Sequence, residues 1–243
     1  MNDTIVGIHQ PNFLPWIGFF YKILRSDIFV FLDNVQLPIG RSFCYRNKIK
    51  TPNGELWLSI PISRAGKSLK DLLINQVEID NSQHWREKHL KTLEMNYKKA
   101  KFFQEVFSEI ERIYYSQSWQ NLSDLNISLI KAIVLYLDLS KTFVKSSALG
   151  IQAKSTELLI QIVKKLGGNV YLSGLGGGKY QDEGLFKKAE IKLEYYDFHH
   201  PAYTQLWGGF IPNLSITDLL FNLGQKSLDI IRNSGAMQYG PQC

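Results

Sequence analysis

A strand, a proline-bounded turn, a helix and a second strand, all within the first 32 residues, constrain this chain more than any other feature. Thr4 to His9 is an apolar run of strand length. Gln10-Pro11-Asn12-Phe13-Leu14-Pro15 reads as a turn, because its two prolines remove backbone donors and restrict the residues before them. From Trp16 onward, Ile17, Phe20, Tyr21, Ile23 and Leu24 recur at helical spacing. Ile28 to Leu32 is a second apolar run, ending at Asp33-Asn34. This is the βαβ unit, which belongs to a parallel sheet.

The pattern further along supports that class. Arg41 to Thr51 is polar and basic, and Pro52-Asn53-Gly54 predicts a hairpin whose returning strand is Leu56 to Ile62. Ala65 to Lys70 reads as a mobile loop and Ile74 to Ile79 as another short strand. From Ser82, a candidate cap, to about Tyr136 the spacing predicts three helices, the last two over Lys101–Tyr115 and Leu122–Leu137. Strands are then expected at Thr142–Ser146, Val170–Ser173 and Ile191–Phe198, with helices at Ser155–Leu166 and Leu214–Leu223. The expected fold is α/β with a mostly parallel, Rossmann-like sheet and a helical insert; a nucleotidyltransferase-like variant stays open. The organisation is a first α/β half with a hairpin (1–80), a helical subdomain (81–140) and a second α/β half (141–243), all sharing one core.

Composition narrows the surroundings. Lys and Arg outnumber Asp and Glu by 28 to 22, an excess that suits anionic partners such as phosphorylated metabolites without choosing among them. No basic run interleaved with aromatics marks a nucleic-acid track. The two cysteines, Cys44 and Cys243, are no disulfide framework and fit a reducing compartment. The N-terminus lacks the pattern of a signal peptide, and no apolar run reaches the roughly 20 residues that cross a bilayer. The expectation is a cytoplasmic protein without membrane insertion.

Ligands of open α/β sheets bind outside the carboxyl ends of the strands. His9 and Gln10 follow directly on the first strand, and Trp16 opens the helix whose free amides attract an anion. His9 can serve as a general base or hold a substrate, or it can be tied to the backbone of the turn. Ser173-Gly174-Leu175-Gly176-Gly177-Gly178-Lys179-Tyr180 follows another strand. It fits neither a Walker loop nor a dinucleotide fingerprint, and it reads as a backbone cradle for phosphate or carboxylate or as a flexible loop. Arg41, Arg46, Lys48 and Lys50 can clamp phosphates or line a solvated hairpin face. His200 and Tyr203 follow the strand ending at Phe198. Asp33 and Asn34 complete the candidates at strand ends. His84 and His89, five apart, miss the spacing that stacks two ligands on a helix, so no metal site is expected. No G-x-S-x-G occurs, and Cys44, with no histidine near it in sequence, reads as a packed thiol.

Several of these segments together resemble the WbqC-like family of bacterial O-antigen and other polysaccharide gene clusters. They are His9 to Phe20 (HQPNFLPWIGFF), Asp27 to Gln36 (DIFVFLDNVQ), Arg46 to Gly54, His84 to His89, Tyr171 to Gly174, and Phe210 to Asn222 (FIPNLSITDLLFN), so the likeness runs nearly end to end. It implies work on nucleotide-linked sugars: transfer of an acyl or aminoacyl group to the nitrogen of a nucleotide-linked amino sugar. His9 would be the base, the backbone around Ser173 to Gly178 the anion seat, and Asn213, Ser215, Asp218 and Asn222 the groups that hold sugar hydroxyls. Asp218 and Asn222 could equally be a structural pair four apart on one helix face. The partners implied are a nucleotide-linked sugar and an acyl or aminoacyl donor, a charged tRNA being the one nucleic acid in view; the cofactor stays open. Trp16-Ile17-Gly18-Phe19 is also similar to the H-x-G-H turn of nucleotidyltransferases, but both histidine positions are aromatic. Two further readings follow: a nucleotidyltransferase-like or ATP-dependent ligase, and a non-catalytic binding or scaffold protein of polysaccharide assembly.

Overall fold

The computed structural model describes residues 3–38, 40, 42–63, 68, 71–179 and 181–235. Arg41, most of the 65–70 loop, the Lys179 side chain, Tyr180 and Cys243 lie outside the described residues.

The opening unit forms as its spacing predicts. β1 (Ile5–His9), α1 (Ile17–Arg25) and β2 (Ile28–Phe31) follow one another, with β1 and β2 parallel. β2 then pairs in parallel with β7 (Thr142–Lys145), while the other edge of β1 takes β8 (Val170–Gly174) and, beyond it, β9 (Lys192–Tyr196). The five-stranded sheet thus has the order β7-β2-β1-β8-β9, all four neighbouring pairs parallel. This is a Rossmann-like α/β architecture. The chain fills one half of the sheet from β1 outward and returns to β1 to fill the other. The topological switch point therefore lies between β1 and β8.

Between β2 and β7 the chain makes the hairpin β3 (Arg46–Thr51) and β4 (Gly54–Ser59), in which Thr51 pairs with Gly54 across Pro52-Asn53. The returning strand is shorter than its apolar run suggests. A separate two-residue β5 (Ile62–Ser63) instead pairs with β6 (Glu78–Ile79), and Ile74–Gln76 is a 3₁₀ turn. Three helices follow: α2 (Trp85–Tyr97), α3 (Phe103–Tyr115) and α4 (Leu122–Tyr136). Ser82 does not cap α2; its hydroxyl donates to Asp80, and His84 stands at the cap. α4 is capped as its sequence allows, Asn121 accepting from the Asp124 amide. The second half adds α5 (Ser155–Lys165), α6 (Glu183–Lys188), α7 (Ile216–Leu223) and α8 (Ser227–Asn233). α6 and α8 escape a periodicity reading because six and seven residues hold too few turns to show one.

Alternation along the strands divides the core. Val6, Ile8, Val30 and Tyr171 face α5 and α6, while Phe29 and Phe31 face α1 and a larger cluster built from α2, α3, α4, α7 and α8. Among the described residues no helix is long and apolar enough to cross a membrane.

Candidate functional site

His9 ends β1 beside β8. The β1–β8 register pairs Gly7 with Leu172, and continuing it brings His9 level with Gly174. The first strand and the glycine-rich stretch therefore meet at the switch point, where parallel α/β sheets hold ligands. Alternation turns His9 toward α1, and its ring meets Phe19 edge-on at 4.9 Å. Nδ1 lies 3.0 Å from the Gln10 carbonyl. A carbonyl can only accept, so Nδ1 carries the hydrogen and Nε2 keeps its lone pair. Nε2 makes no hydrogen bond with any described residue, and the side chain is half-buried.

Behind the imidazole stands a group that sequence reading passed over. Lys22, three residues after Phe19 on α1, is 3% exposed; its Nζ donates to the Ile8 carbonyl at 2.6 Å and lies 5.6 Å from the centre of the Tyr171 ring. Burial lowers the Lys22 ammonium to about 7. Burial, reinforced by the Lys22 charge, lowers His9 to about 4, so the imidazole is neutral at physiological pH. The available signal was a lone lysine within Phe19-Phe20-Tyr21-Lys22-Ile23-Leu24, a run apolar on every face.

The turn after β1 is held from outside. Asn126 Nδ2 donates to the carbonyls of Pro11 and Cys44, and Asn47 Nδ2 donates to that of Leu14 at 2.7 Å. The Phe13 amide donates to Phe43, and Leu14 adopts a left-handed φ of 38°. Gln10 Oε1 and Asn12 Oδ1 face the Cys44 thiol at 3.9 and 3.6 Å, which leaves the Gln10 Nε2 hydrogens unpaired among the described residues. Burial raises Cys44 to about 11, so it is a thiol at neutral pH. Trp16 caps α1 with its backbone in extended form and packs edge-on against Phe198 at 4.8 Å. Its indole folds over Gly18, where a side chain would come within 2.3 Å of the ring.

The glycine-rich stretch is not an open loop. Residues Leu175–Lys179 form a 3₁₀ turn folded back on Ser173 and Gln181. A side chain at Gly177 would come within 2.5 Å of Ser173 Oγ, whereas Gly176 faces open space. Gly174 lies beside the Tyr196 hydroxyl, and buried Ser173 turns its own hydroxyl toward the Gly174 carbonyl.

The remaining candidates disperse. Asp33 is buried at the end of β2, where it accepts from the hydroxyls of Ser146 and Ser147 and the Ser147 amide; Asn34 accepts from the same Ser146 hydroxyl. These bonds tie the β2 end to the β7 end. Arg46 stacks on Trp57 at 4.6 Å, with Nε buried and unpartnered, and Lys48 is paired with Glu55. His200 turns Nδ1 to the Pro201 carbonyl, and burial lowers its pKa. Tyr203 and Tyr97 both donate to the Asp218 carboxylate at 2.8 Å, and Lys50, which is buried beside it, donates to Gln205 at 3.0 Å. Burial raises the Asp218 carboxyl above the usual carboxylate range. Ser215 caps α7 by accepting from Thr217, Asn222 donates to the Asp218 carbonyl, and Asn213 is exposed at a φ of 59°. The structure therefore gathers His9, Gln10, Trp16, Ser173, Gly174 and the glycine turn near one boundary. It places Asp33 and Asn34 one strand along the edge, past the end of β2, and Tyr203, Ser215, Asp218 and Asn222 in the support behind the turn. Among the described residues no three His, Cys, Asp or Glu side chains could share a metal ion.

The Mycobacterium tuberculosis (strain ATCC 25618 / H37Rv) protein named "Uncharacterized protein Rv1507c" is 35% identical over 228 residues, covering 93% of this chain and 97% of its own length. No solved structure matches the chain. Residues 10–230 match the WbqC-like protein family. The segment matched begins at Gln10 of the β1 turn and closes in α8, and the chain belongs to the WbqC-like protein family.

Proposed function

We propose that the chain is an enzyme of bacterial surface polysaccharide biosynthesis that transfers an acyl or aminoacyl group to the amino nitrogen of a nucleotide-linked amino sugar. The observation that carries this reading is the neutral His9 imidazole at the switch point, its lone pair unpaired among the described residues and a buried lysine behind it. Buried, charge-perturbed groups are a mark of functional sites because they destabilise the fold without serving it.

The Lys22 charge disfavours a second cation nearby, so a substrate amine binds as the free base, ready to attack. Its nitrogen adds to the acyl carbonyl and becomes positively charged, and the oxygen becomes an oxyanion. The unpaired Gln10 Nε2 hydrogens are donors for that oxyanion. The proton on the new ammonium is far more acidic than that of the free substrate, so a weakly basic imidazole suffices to accept it at Nε2. The C–N bond is then complete, the bond to the leaving group breaks, and His9 returns the proton to that group.

His9→Ala should fold with an unchanged circular dichroism spectrum and lose about 10²- to 10⁴-fold in turnover. A folded variant with full turnover overturns the assignment. The strand order is equally suited to nucleotide binding, which keeps an ATP-dependent ligase as the second reading. Thermal melting separates them: a ligand at about 100 times its dissociation constant stabilises by about 2.7 kcal/mol. Stabilisation by nucleoside diphosphate sugars supports the transferase, stabilisation by ATP alone the ligase, and a response to neither leaves a scaffold.

A further inference from the structure

Beginning at the neighbouring strand β2 and reaching β7, two strands from His9, the carboxyl edge opens into a trough of about 880 Å³. It lies over the ends of β2 and β7 and the first turn of α5. Past Lys154 and Ser155 it continues into a second hollow of about 460 Å³ that reaches Gln181 and Asp182, beyond the end of β8. With strands about 4.8 Å apart, three strand steps give the pair a reach of roughly 15 Å.

The chemistry of the lining is specific. Carboxamides dominate it: Asn34, Asn75, Gln152 and Gln181. Among the described residues its charges are Asp71, Glu157 and Asp182 against Lys154, the reverse of the basic surplus of the whole chain. Such a lining repels a phosphate. The side chains of Asp71 and Gln152 carry no hydrogen bond or ion pair with any described residue. The amide oxygens of Asn75 and Gln181, one in each hollow, are buried without a donor. Acceptors left over in this way take a water, or a ligand hydroxyl once the carboxamide turns outward into the hollow. Beneath them Leu73, Ile151 and Leu158 supply apolar surface. Acceptor-rich walls over an apolar floor suit a ring whose edge bears hydroxyls and whose face bears C–H groups.

We propose that this trough is a separate binding site for an uncharged sugar ring carrying vicinal hydroxyls, held at its edge by Asp71, Asn75 and Gln152 and packed on Ile151 and Leu158. The ring can be a pyranose or the ribose of a nucleoside, since both present the same diol. The site stands apart from His9: its readout is binding, whereas that of His9 is turnover.

The test is nuclear magnetic resonance titration of the full chain with methyl pyranosides of gluco, galacto and manno configuration, their 2-acetamido derivatives, uridine, 2′-deoxyuridine and inorganic phosphate. At least one glycoside, or uridine but not 2′-deoxyuridine, should shift the side-chain amide signals of Asn34, Asn75 and Gln152. Asp71→Ala and Gln152→Ala, both at exposed positions, should each weaken that binding about fivefold, the worth of one hydrogen bond. Binding by glycosides assigns a pyranose, and binding by uridine alone assigns the ribose. The proposal fails if no sugar shifts these signals, if both variants bind as well as the parent, or if phosphate binds there more tightly than every sugar.

Discussion

The middle of the carboxyl edge and its β7 end are built in opposite ways. At the β1–β8 boundary the polar groups are buried and fixed before any ligand arrives: Lys22 on the Ile8 carbonyl, His9 on the Gln10 carbonyl, the turn clamped by Asn47 and Asn126. Over β2 and β7 the polar side chains stand in an open trough, and two of them, Asp71 and Gln152, are unpaired among the described residues. Fixed orientation matters where protons move, because geometry must be correct at the moment of reaction. Adaptable side chains are enough where a ligand is only held. The first region should therefore carry a stability penalty that the second does not, and three measurements can break or sharpen that contrast.

The largest effect is expected in the support behind the turn. The Ser215 amide donates to the Lys48 carbonyl and the Ile216 amide to that of Pro15, so the start of α7 holds the turn, and Asp218 anchors α7 from within. Asp218→Ala would strand two phenol hydroxyls and leave buried Lys50 without its counter-charge, a loss of about 3–5 kcal/mol. Chemical denaturation should show it. Asp71→Ala, in the trough, should stay within about 0.5 kcal/mol. Equal losses at the two positions would erase the contrast.

Asp218 also shows where sequence reading stops. The βαβ unit, the hairpin and the three-helix run were legible because each is written in local spacing and turn chemistry. That His9 and the glycine-rich stretch each follow a strand was legible too, but their meeting depends on the pairing of β1 with β8, strands 161 residues or more apart (His9 to Val170), which no local spacing writes. The partners of Asp218 are not local: Tyr97 lies 121 residues away and Tyr203 lies 15, and no period connects them. In sequence, Asp218 and Asn222 are simply polar residues on one helix face. For His9 the alternatives of catalytic group and turn fixture prove compatible, since Nδ1 serves the backbone and Nε2 is left over.

The next effect is a pH dependence. His9 and His89 are both lowered to about 4 by burial, from the ordinary value of 6.5. The unfolded chain takes up protons at these residues near pH 6.5, the folded one only near pH 4. Between those values the unfolded state binds more protons, so stability falls as the pH is lowered through the window. His89 is 4% exposed and its shift corresponds to about 3 kcal/mol. His9, which touches solvent, should contribute less. His89→Gln should flatten most of the slope in denaturation midpoints measured from pH 7 to pH 4. An undiminished slope would move the penalty elsewhere in the fold.

The smallest effect is the most telling, because its sign is unusual. Lys22 is lowered to about 7, so the folded protein holds a buried ammonium reluctantly, and stability should rise with pH from 7 toward 9 as that proton is lost. Lys22→Met keeps the length and apolar character of the side chain, removes the charge and gives up one bond to the Ile8 carbonyl. Replacing a buried charge by a well-packed apolar group is often stabilising, here by about 1 kcal/mol at neutral pH. The same substitution removes the positive field behind His9, so the imidazole should titrate at a higher pH in the variant, as followed by its ring-proton resonances. Turnover on an amine substrate should fall, since the crevice would no longer favour the free base. A variant that is more stable, shifted in His9 and slower would show that this part of the edge gives up stability for chemistry. A variant that is merely less stable, with His9 unmoved, would make Lys22 a structural clamp and return the β1–β8 boundary to the same footing as the trough.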